Sequence, residues 1–217
     1  MHIYEGILSA TPAGQCVLVA GAAAAAAGTA IGLRRLDYER IPRTAVLSAA
    51  FFIASAIQVP LGASSVHLLL GGLMGLVLGW SAFPAVLIAL VLQAAFLSEG
   101  GITTLGVNTL TMALPAVVCS GLFRPAVCSS RPGMVFAAGL AAGTTAVLLS
   151  GVLLSGILML AGRQFHVLGQ VFLAAHLPIA LIEGLVTGSV VVLLRKVRPE
   201  VLQAPPLIPA VEEAFYG

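Results

Sequence analysis

The chain opens with Met1-His2, a pair whose nitrogens can chelate a transition-metal ion. The Met1 amine and the His2 amide nitrogen close a five-membered ring around a metal, and the His2 amide and imidazole Nδ1 close a six-membered ring. A deprotonated amide beside an imidazole favours square-planar Ni(II) or Cu(II), with Co(II) also possible. These donors leave one corner of the square open, so a fourth ligand must come from elsewhere. The alternative is that His2 is an arbitrary second residue.

The composition of the chain is that of an integral membrane protein. Its 217 residues are 59% hydrophobic and 8% charged, and the mean hydropathy is +1.10. Soluble domains average roughly 45–50% apolar and about 25% charged residues. The net charge of +2 is too small to indicate nucleic-acid binding. The start carries Glu5 and lacks a basic region, so we expect no cleavable signal peptide. The three cysteines lack paired metal-binding spacing and are interpreted as small apolar residues.

Seven apolar segments predict an all-α polytopic fold of about seven transmembrane helices. The second to fifth are short for a span of about 20 residues. We expect one membrane domain over residues 1–198 and a cytoplasmic tail with little structure over 199–217, where prolines and glutamates gather. The predicted segments are Pro12–Leu33, Thr44–Gln58, Val66–Gly79, Pro84–Ser98, Asn108–Phe123, Met134–Ala161 and Leu168–Leu194.

Basic residues predict the orientation, because cytoplasmic loops are enriched in Lys and Arg. With seven alternating crossings, nine of the ten Lys and Arg residues fall on one side and only Arg163 falls on the other. The N-terminus is therefore expected outside and the C-terminus in the cytoplasm. The residues on the predicted cytoplasmic side are Arg34, Arg35, Arg40, Arg43, Arg124, Arg131, Arg195, Lys196 and Arg198.

This orientation gathers the polar chemistry at the outer face. His67 follows the turn QVPLGASSV, and the Gly- and Thr-rich loop Ser98–Asn108 is outer as well. Residues Met1–Thr11 are apolar enough to plug a protein-enclosed cavity there. Ala22, Ala26 and Ala30 share a helical face and predict a helix-packing seam, within this chain or with a partner subunit.

Several motifs, in order, resemble those of the metal-capturing membrane component of cobalt and nickel energy-coupling-factor transporters, the CbiM/NikM family. They are MHIYEGILS at the start, SSVHLLLGGLMGLVLG in the third segment, QAAFLSEGGITTLGVNTLTMALPA across the outer loop, and HLPIALIEGLVTG near the end. The resemblance extends from Met1 to about Leu194. The turn GASSV before His67 lacks the threonine or extra histidine of some members, which bears on metal choice and not on the site.

The resemblance implies about seven helices, an inserted N-terminus and a square-planar site. It implies as ligands the Met1 amine, the His2 amide and imidazole nitrogens, and the His67 imidazole, which would fill the open corner. The cargo would be Ni(II) or Co(II), in a prokaryotic inner membrane. The implied partners are a transmembrane coupling subunit, two cytoplasmic ATPases and, in cobalt systems, a small accessory membrane subunit. The chain itself has no Walker A motif, so we expect no nucleotide binding and no enzymatic activity.

Metal-bound histidines usually donate their second ring N–H to an oxygen acceptor. The candidates for this role, which could equally satisfy loop backbone groups, are Ser64, Ser65, Gln93, Glu99 and Asn108, together with Glu5. Ser65 and Asn108 are the preferred pair.

Three further ionisable residues lie in or near the predicted spans. Glu183 is in mid-span, and is expected to be structural, tying its helix to the plug or to polar backbone at a broken helix. His176 is expected to be a hydrogen-bonded histidine inside the bundle. His166, beside Arg163 in the outer loop, is a weak ligand candidate.

Two other classes of membrane protein, a protease and a channel or carrier, could account for some of these residues. An intramembrane serine protease would need a serine facing a histidine, for which Ser150 or Ser155 with His176 offer material, but the chain lacks a G-x-S-G elbow. A channel or secondary carrier should show a polar stripe or paired broken helices in related halves, and neither is visible. A chelating N-terminus also favours capture over fast conduction.

Overall fold

The computed structural model describes residues 2–56, 58–61 and 64–202, with main chain alone for 58–61 and 64–66. Seven α-helices and one two-stranded hairpin follow each other in this part of the chain. Short 3₁₀ turns precede α2 and α7, separate α3 from α4 and follow α7. The bounds are α1 Pro12–Arg34, α2 Ile41–Ala56, β1 Gln58–Leu61, β2 Ser64–His67, α3 Gly71–Leu78, α4 Ala82–Phe96, α5 Leu105–Val127, α6 Pro132–Ala161 and α7 His166–Val197.

The apolar composition of these helices confirms a multi-pass membrane protein. Five stretches of the described chain are long and apolar enough to cross a membrane: Pro12–Arg34, Gly71–Phe96, Leu105–Val127, Pro132–Ala161 and Arg163–Val197. Helix α2 has only 16 residues and is not among them. The expected seven crossings and the outside position of the N-terminus therefore remain predictions.

The Gly71–Phe96 stretch folds back on itself. His67, just before α3, stacks on His2, and Glu99, just after α4, lies 3.4 Å from the same ring. The turn Gly79–Ser81 between the two helices lies against Gly32 near the end of α1, where the Ser81 hydroxyl donates to the Gly32 carbonyl oxygen at 3.5 Å. Both outer ends of the stretch thus lie at the histidine end of the bundle, and its middle lies at the opposite end.

The third predicted segment is not helical throughout. Val66 and His67 belong to β2, which pairs antiparallel with β1 in the register Gln58 opposite His67. Proline lacks the N–H that a helix interior needs, and serine competes with helical hydrogen bonds, so Pro60 and the Ser64-Ser65 pair favour the hairpin over a helix. An all-α prediction therefore misses this element, which presents His67.

Glycine governs the closest helix contacts. Gly139 and Gly143 of α6 face Gly184 and Gly188 of α7, one helical turn apart on each helix. A methyl group added at Gly143 would lie 2.7 Å from the carbonyl oxygen of Glu183, and one at Gly139 would lie 2.8 Å from the Gly188 Cα. Small residues let membrane helices approach in this way, because van der Waals packing rather than hydrophobicity drives their association.

The predicted alanine face of α1 is not a packing seam within this chain, and its alternative role as a contact for a partner subunit remains a prediction. Ala22, Ala26 and Ala30 are exposed, although the Ala22 main chain still touches the Gly106 position of α5. The buried stripe of α1 is instead Gly21, Ala25, Gly28 and Gly32. Gly28 packs on the Phe83 ring and Gly32 on Pro84, so the absence of a side chain decides which face is covered.

Most of the predicted cytoplasmic arginines gather at the end of the bundle opposite the histidines. Arg35, Arg40 and Arg124 line a cavity of about 500 Å³ beside the α3–α4 turn. The Arg35 guanidinium lies 5.5 Å from the centroid of the Trp80 ring. Arg195, fully buried near the end of α7, donates to the carbonyl oxygens of Val127 and Ser129 and joins α7 to the end of α5.

The described chain ends with a 3₁₀ turn, Pro199–Leu202, whose Leu202 side chain is buried. This turn is the beginning of the predicted tail, and residues 203–217 lie outside the described residues. The tail therefore remains a prediction from its proline and glutamate content.

Candidate metal site

The N-terminal segment, residues 2–11, enters the bundle instead of lying on its surface. His2, Ile3 and Leu8 are all buried. Asn108 of α5 holds the main chain of Ile3 from both sides: the Ile3 N–H donates to Asn108 Oδ1 at 3.0 Å, and Asn108 Nδ2 donates to the Ile3 carbonyl oxygen at 3.2 Å. The side-chain amide thus replaces the pairing that a neighbouring strand would give.

Two further contacts fix the segment farther along. The Glu5 carboxylate accepts hydrogen bonds from the Thr103 N–H at 3.1 Å and the Thr103 hydroxyl at 3.4 Å. The Thr11 hydroxyl caps α1 by accepting from the Gly14 N–H at 3.0 Å, and it donates to the Ala161 carbonyl oxygen at the end of α6, at 2.7 Å. The segment is therefore attached at its beginning, middle and end.

The glycine pair of the outer loop allows the close approach of this loop to the segment. Gly100 has a φ of +73°, in the left-handed region that a side chain disfavours, and a methyl group there would lie 3.2 Å from Asn108 Nδ2 and 3.5 Å from the His2 ring. At Gly101 an added methyl group would overlap the Glu5 side chain. A loop without these glycines could not pack against His2 and Glu5 as this one does.

The rings of His2 and His67 face each other. Their centroids are 5.2 Å apart with an interplanar angle of 27°, and both residues are buried. His2 Nε2 lies 2.7 Å from Gln93 Oε1, while Gln93 Nε2 donates to the Ser55 hydroxyl at 2.5 Å. His67 Nδ1 lies 3.0 Å from the Leu68 carbonyl oxygen. Two distant parts of the chain thus bring their imidazoles together through defined partners.

These partners fix the tautomer of each ring. Both are oxygen acceptors, so the ring nitrogen beside each must carry the proton and donate it. The other ring nitrogen then carries the lone pair. These other nitrogens, His2 Nδ1 and His67 Nε2, are buried and have no hydrogen-bond partner among the described residues. Buried polar atoms are seldom left without a partner, so this pair indicates a position for a ligand.

Burial also keeps both imidazoles neutral. It lowers the pKa of His2 to about 3 and the pKa of His67 well below its usual value. Metal ions bind the neutral imidazole, so both rings are in the state that coordination requires at pH 7. The Glu99 carboxyl lies 3.4 Å from His2 Nδ1, and burial raises the pKa of Glu99. With His2 neutral, this contact is not a salt bridge, and Glu99 Oε2 has no hydrogen-bond partner among the described residues either.

The remaining predicted residues fall at or near this site. Met1 lies outside the described residues, and Ser64 and Ser65 are described only as main chain of β2. Gln93, and not the preferred Asn108, bonds a histidine ring. In the described part of the chain, no group of three His, Cys, Asp or Glu side chains is arranged to hold a metal ion. A metal bound between the two rings would therefore depend on main-chain nitrogen as well.

Two other histidines and the serines near them have separate roles. His176 is fully buried and its Nδ1 lies 2.5 Å from the Phe172 carbonyl oxygen, as expected for a hydrogen-bonded histidine inside the bundle. His166 is exposed at the start of α7. The Ser155 hydroxyl donates to the Gly169 carbonyl oxygen at 2.8 Å, so it is not poised as a nucleophile.

The chain is similar to known metal transport proteins. The family model for CbiM, the cobalt uptake substrate-specific transmembrane region, matches residues 2–201. A Haemophilus influenzae protein named for metal transport is 45% identical over 207 residues, covering 93% of this chain and 97% of the relative. The fused nickel transport protein NikMN of Rhodobacter capsulatus is 32% identical, covering 98% of this chain and 67% of the relative.

The fold is also found among solved structures. The crystal structure of a transition metal transporter superposes with a TM-score of 0.71 at 24% identity, covering 90% of this chain and 92% of the other. The cobalt transport protein CbiM of Sorangium cellulosum is 29% identical, covering 93% of this chain. The relatives are transport proteins, which argues against the protease alternative. Because the CbiM family model matches residues 2–201, this chain belongs to the CbiM family of membrane components for cobalt and nickel transport.

Proposed function

We propose that this chain is the substrate-capture subunit of an ATP-driven energy-coupling-factor importer for Ni(II) or Co(II). The ion would bind four nitrogens: the Met1 amine, the His2 amide, His2 Nδ1 and His67 Nε2. The observation that carries the proposal is the pair of facing, neutral imidazoles whose proton positions leave these two ring nitrogens buried and without a partner.

The identity of the donors supports a square-planar site. The His2 amide and Nδ1 belong to one residue and chelate together, and the unpartnered Nε2 of His67 belongs to the neighbouring ring, whose centroid is 5.2 Å from that of His2. Deprotonated amide nitrogen favours d⁸ and d⁹ ions, whereas Zn(II) prefers tetrahedral sites. Binding releases the amide proton, so affinity should rise with pH. The buried N-terminal segment would then form the lid over the ion.

Release of the ion into the cytoplasm requires partners in this proposal. A transmembrane coupling subunit and two cytoplasmic ATPases would supply the motion, and a small accessory membrane subunit would assist in cobalt systems. The location would be a prokaryotic inner membrane. The three fixed points of the N-terminal segment support capture over conduction, because an ion held under them leaves only when the segment moves.

The test is the metal content of purified, C-terminally tagged protein, measured by mass spectrometry after growth with Ni(II) and Co(II). We expect about one ion per native chain, none when one extra residue precedes Met1, and clearly less than one when His67→Ala removes the fourth ligand. His166→Ala is the matched control, since it removes an exposed histidine outside the site. Equal metal in the native and extended proteins would refute the N-terminal chelate.

A further inference from the structure

The Glu183 side chain lies inside the membrane domain and points at main-chain amides. It is fully buried in the middle of α7. Its Oε2 accepts a hydrogen bond from the Leu69 N–H at 3.0 Å, and the N–H groups of Leu70 and Gly71 also face the carboxyl group. A buried carboxylate is costly unless such donors compensate it.

These amides form the beginning of α3, which has no cap of its own. Its N-cap residue is Leu70, which cannot accept a hydrogen bond through its side chain. Leu70 also has a φ of +50°, an unfavourable conformation for a branched side chain. The carboxyl group of Glu183 supplies the missing acceptor and holds Leu70 in this turn. A negative group at this end of a helix is further favoured by the helix dipole.

The same turn carries His67. Only Leu68 separates His67 from Leu69, and the Leu68 carbonyl oxygen is the group that fixes the tautomer of the His67 ring. The direction of this carbonyl depends on the main chain between Leu68 and Leu70. A change in the contact between Glu183 and Leu69 would therefore reorient the His67 ring.

We propose that Glu183 is a positioning residue for the metal ligand His67, acting through the turn at residues 68–71. This inference rests on the proposed function and assigns a role to a residue that does not itself touch the ion. The Glu183 carboxyl group would then orient His67 as well as join α7 to α3. A purely structural Glu183 would contribute to stability and leave the coordination unchanged.

Electron paramagnetic resonance of Cu(II) bound to the full chain separates these two roles, because nitrogen splitting reports how many nitrogens bind. We expect four nitrogens in the native protein and three in His67→Ala. We expect Glu183→Ala to resemble His67→Ala, and the double variant to show no further change. Ni(II) affinity should fall by about 10–100-fold in Glu183→Ala, the range for groups that orient metal ligands. Glu183→Gln keeps one acceptor and should restore part of it.

Thr187→Val is the matched control. Thr187 is one turn further along α7, is equally buried, and lies against Gly143 instead of the residue 68–71 turn. This variant should keep four nitrogens. A four-nitrogen spectrum and native Ni(II) affinity in Glu183→Ala would overturn the inference while leaving the proposed function intact. Failure of the native protein to bind Cu(II) or Ni(II) would instead overturn the proposed function.

Folding of the Ala variant does not limit the test. If Glu183→Ala is not recovered, Glu183→Asp keeps the charge and withdraws it from Leu69 by one methylene group. A three-nitrogen spectrum in folded Glu183→Asp, restored to four in Glu183→Gln, would support the inference. Four nitrogens in both would refute it.

Discussion

The N-terminal segment and the α6–α7 helix pair are held in opposite ways. The segment is fixed by side-chain hydrogen bonds that span about a hundred residues of sequence, such as those of Ile3 with Asn108 and of Glu5 with Thr103. The α6–α7 pair is held chiefly by close main-chain contact at glycines, to which the hydrogen bonds of Thr144 with Ala180 and of Ser155 with Gly169 are added. A segment attached by a few hydrogen bonds can open locally, whereas closely packed helices separate only at a larger cost. The segment proposed to move therefore has the weaker attachment.

The largest expected effect concerns the polar partner of His2. Gln93→Ala removes the acceptor that fixes the His2 tautomer, and metal affinity should fall by about 10–100-fold. Isothermal titration calorimetry with Ni(II) measures this affinity. Gln15→Ala is the control, because the Gln15 side-chain amide donates to the Ser9 carbonyl oxygen at the surface, away from the two histidine rings. Native affinity in Gln93→Ala would show that the His2 ring needs no partner.

The second effect should be confined to the α6–α7 helix pair. Gly143→Ala places a methyl group within 2.7 Å of the Glu183 carbonyl oxygen, and such overpacking costs about 1–3 kcal/mol of stability. Thermal unfolding in detergent measures this loss of stability. Gly156→Ala lies on the same helix, where the new methyl group would meet no atom of another described element within 4 Å, and it should be neutral or slightly stabilising. If both variants have the same unfolding midpoint, the glycine contact is not what holds the pair.

The third effect is a pH dependence that only the segment should show. Burial lowers the pKa of His2 from 6.5 to about 3, so the open segment binds a proton that the closed one excludes. Closure therefore keeps its full stability above pH 6.5 and weakens as pH falls below it. The loss is about 1.4 kcal/mol per pH unit for this histidine, and His67 acts in the same direction.

Hydrogen exchange of the amides of residues 3–11, corrected for intrinsic rates, measures this closure. We expect faster opening at pH 5 than at pH 7.5 in the segment and no change in Gly139–Ser150 of α6. Equal protection of residues 3–11 at both pH values would mean that the histidines are not excluded from protonation by closure.

Sequence reasoning placed His2 and His67 at one end of the molecule, and the structure brings their rings together, whereas the metal ligand set remains a prediction. Apolar runs gave most helices within a few residues, because length and composition decide them locally. The sequence does not favour Gln93 over Asn108, since residues 2 and 93 meet only through tertiary folding. Apolar runs alone do not predict the hairpin before α3, because Val66 and the residues after it continue into the apolar run of α3. The cap of α3 left a readable signal: LLLGG offers no capping side chain, so the acceptor had to be distant.

The Thr11 hydroxyl makes the N-terminal segment a tether of fixed length. It caps α1 and also donates to the Ala161 carbonyl oxygen, so the segment begins at a rigid point and His2 lies at its other end. Nine peptide units can reach no farther than about 30 Å when fully extended. The proposed chelate, confined to so small a volume, would meet His67 at an effective concentration of order millimolar. An ion still held by the chelate would therefore rebind His67 rapidly, unless a partner keeps the segment extended.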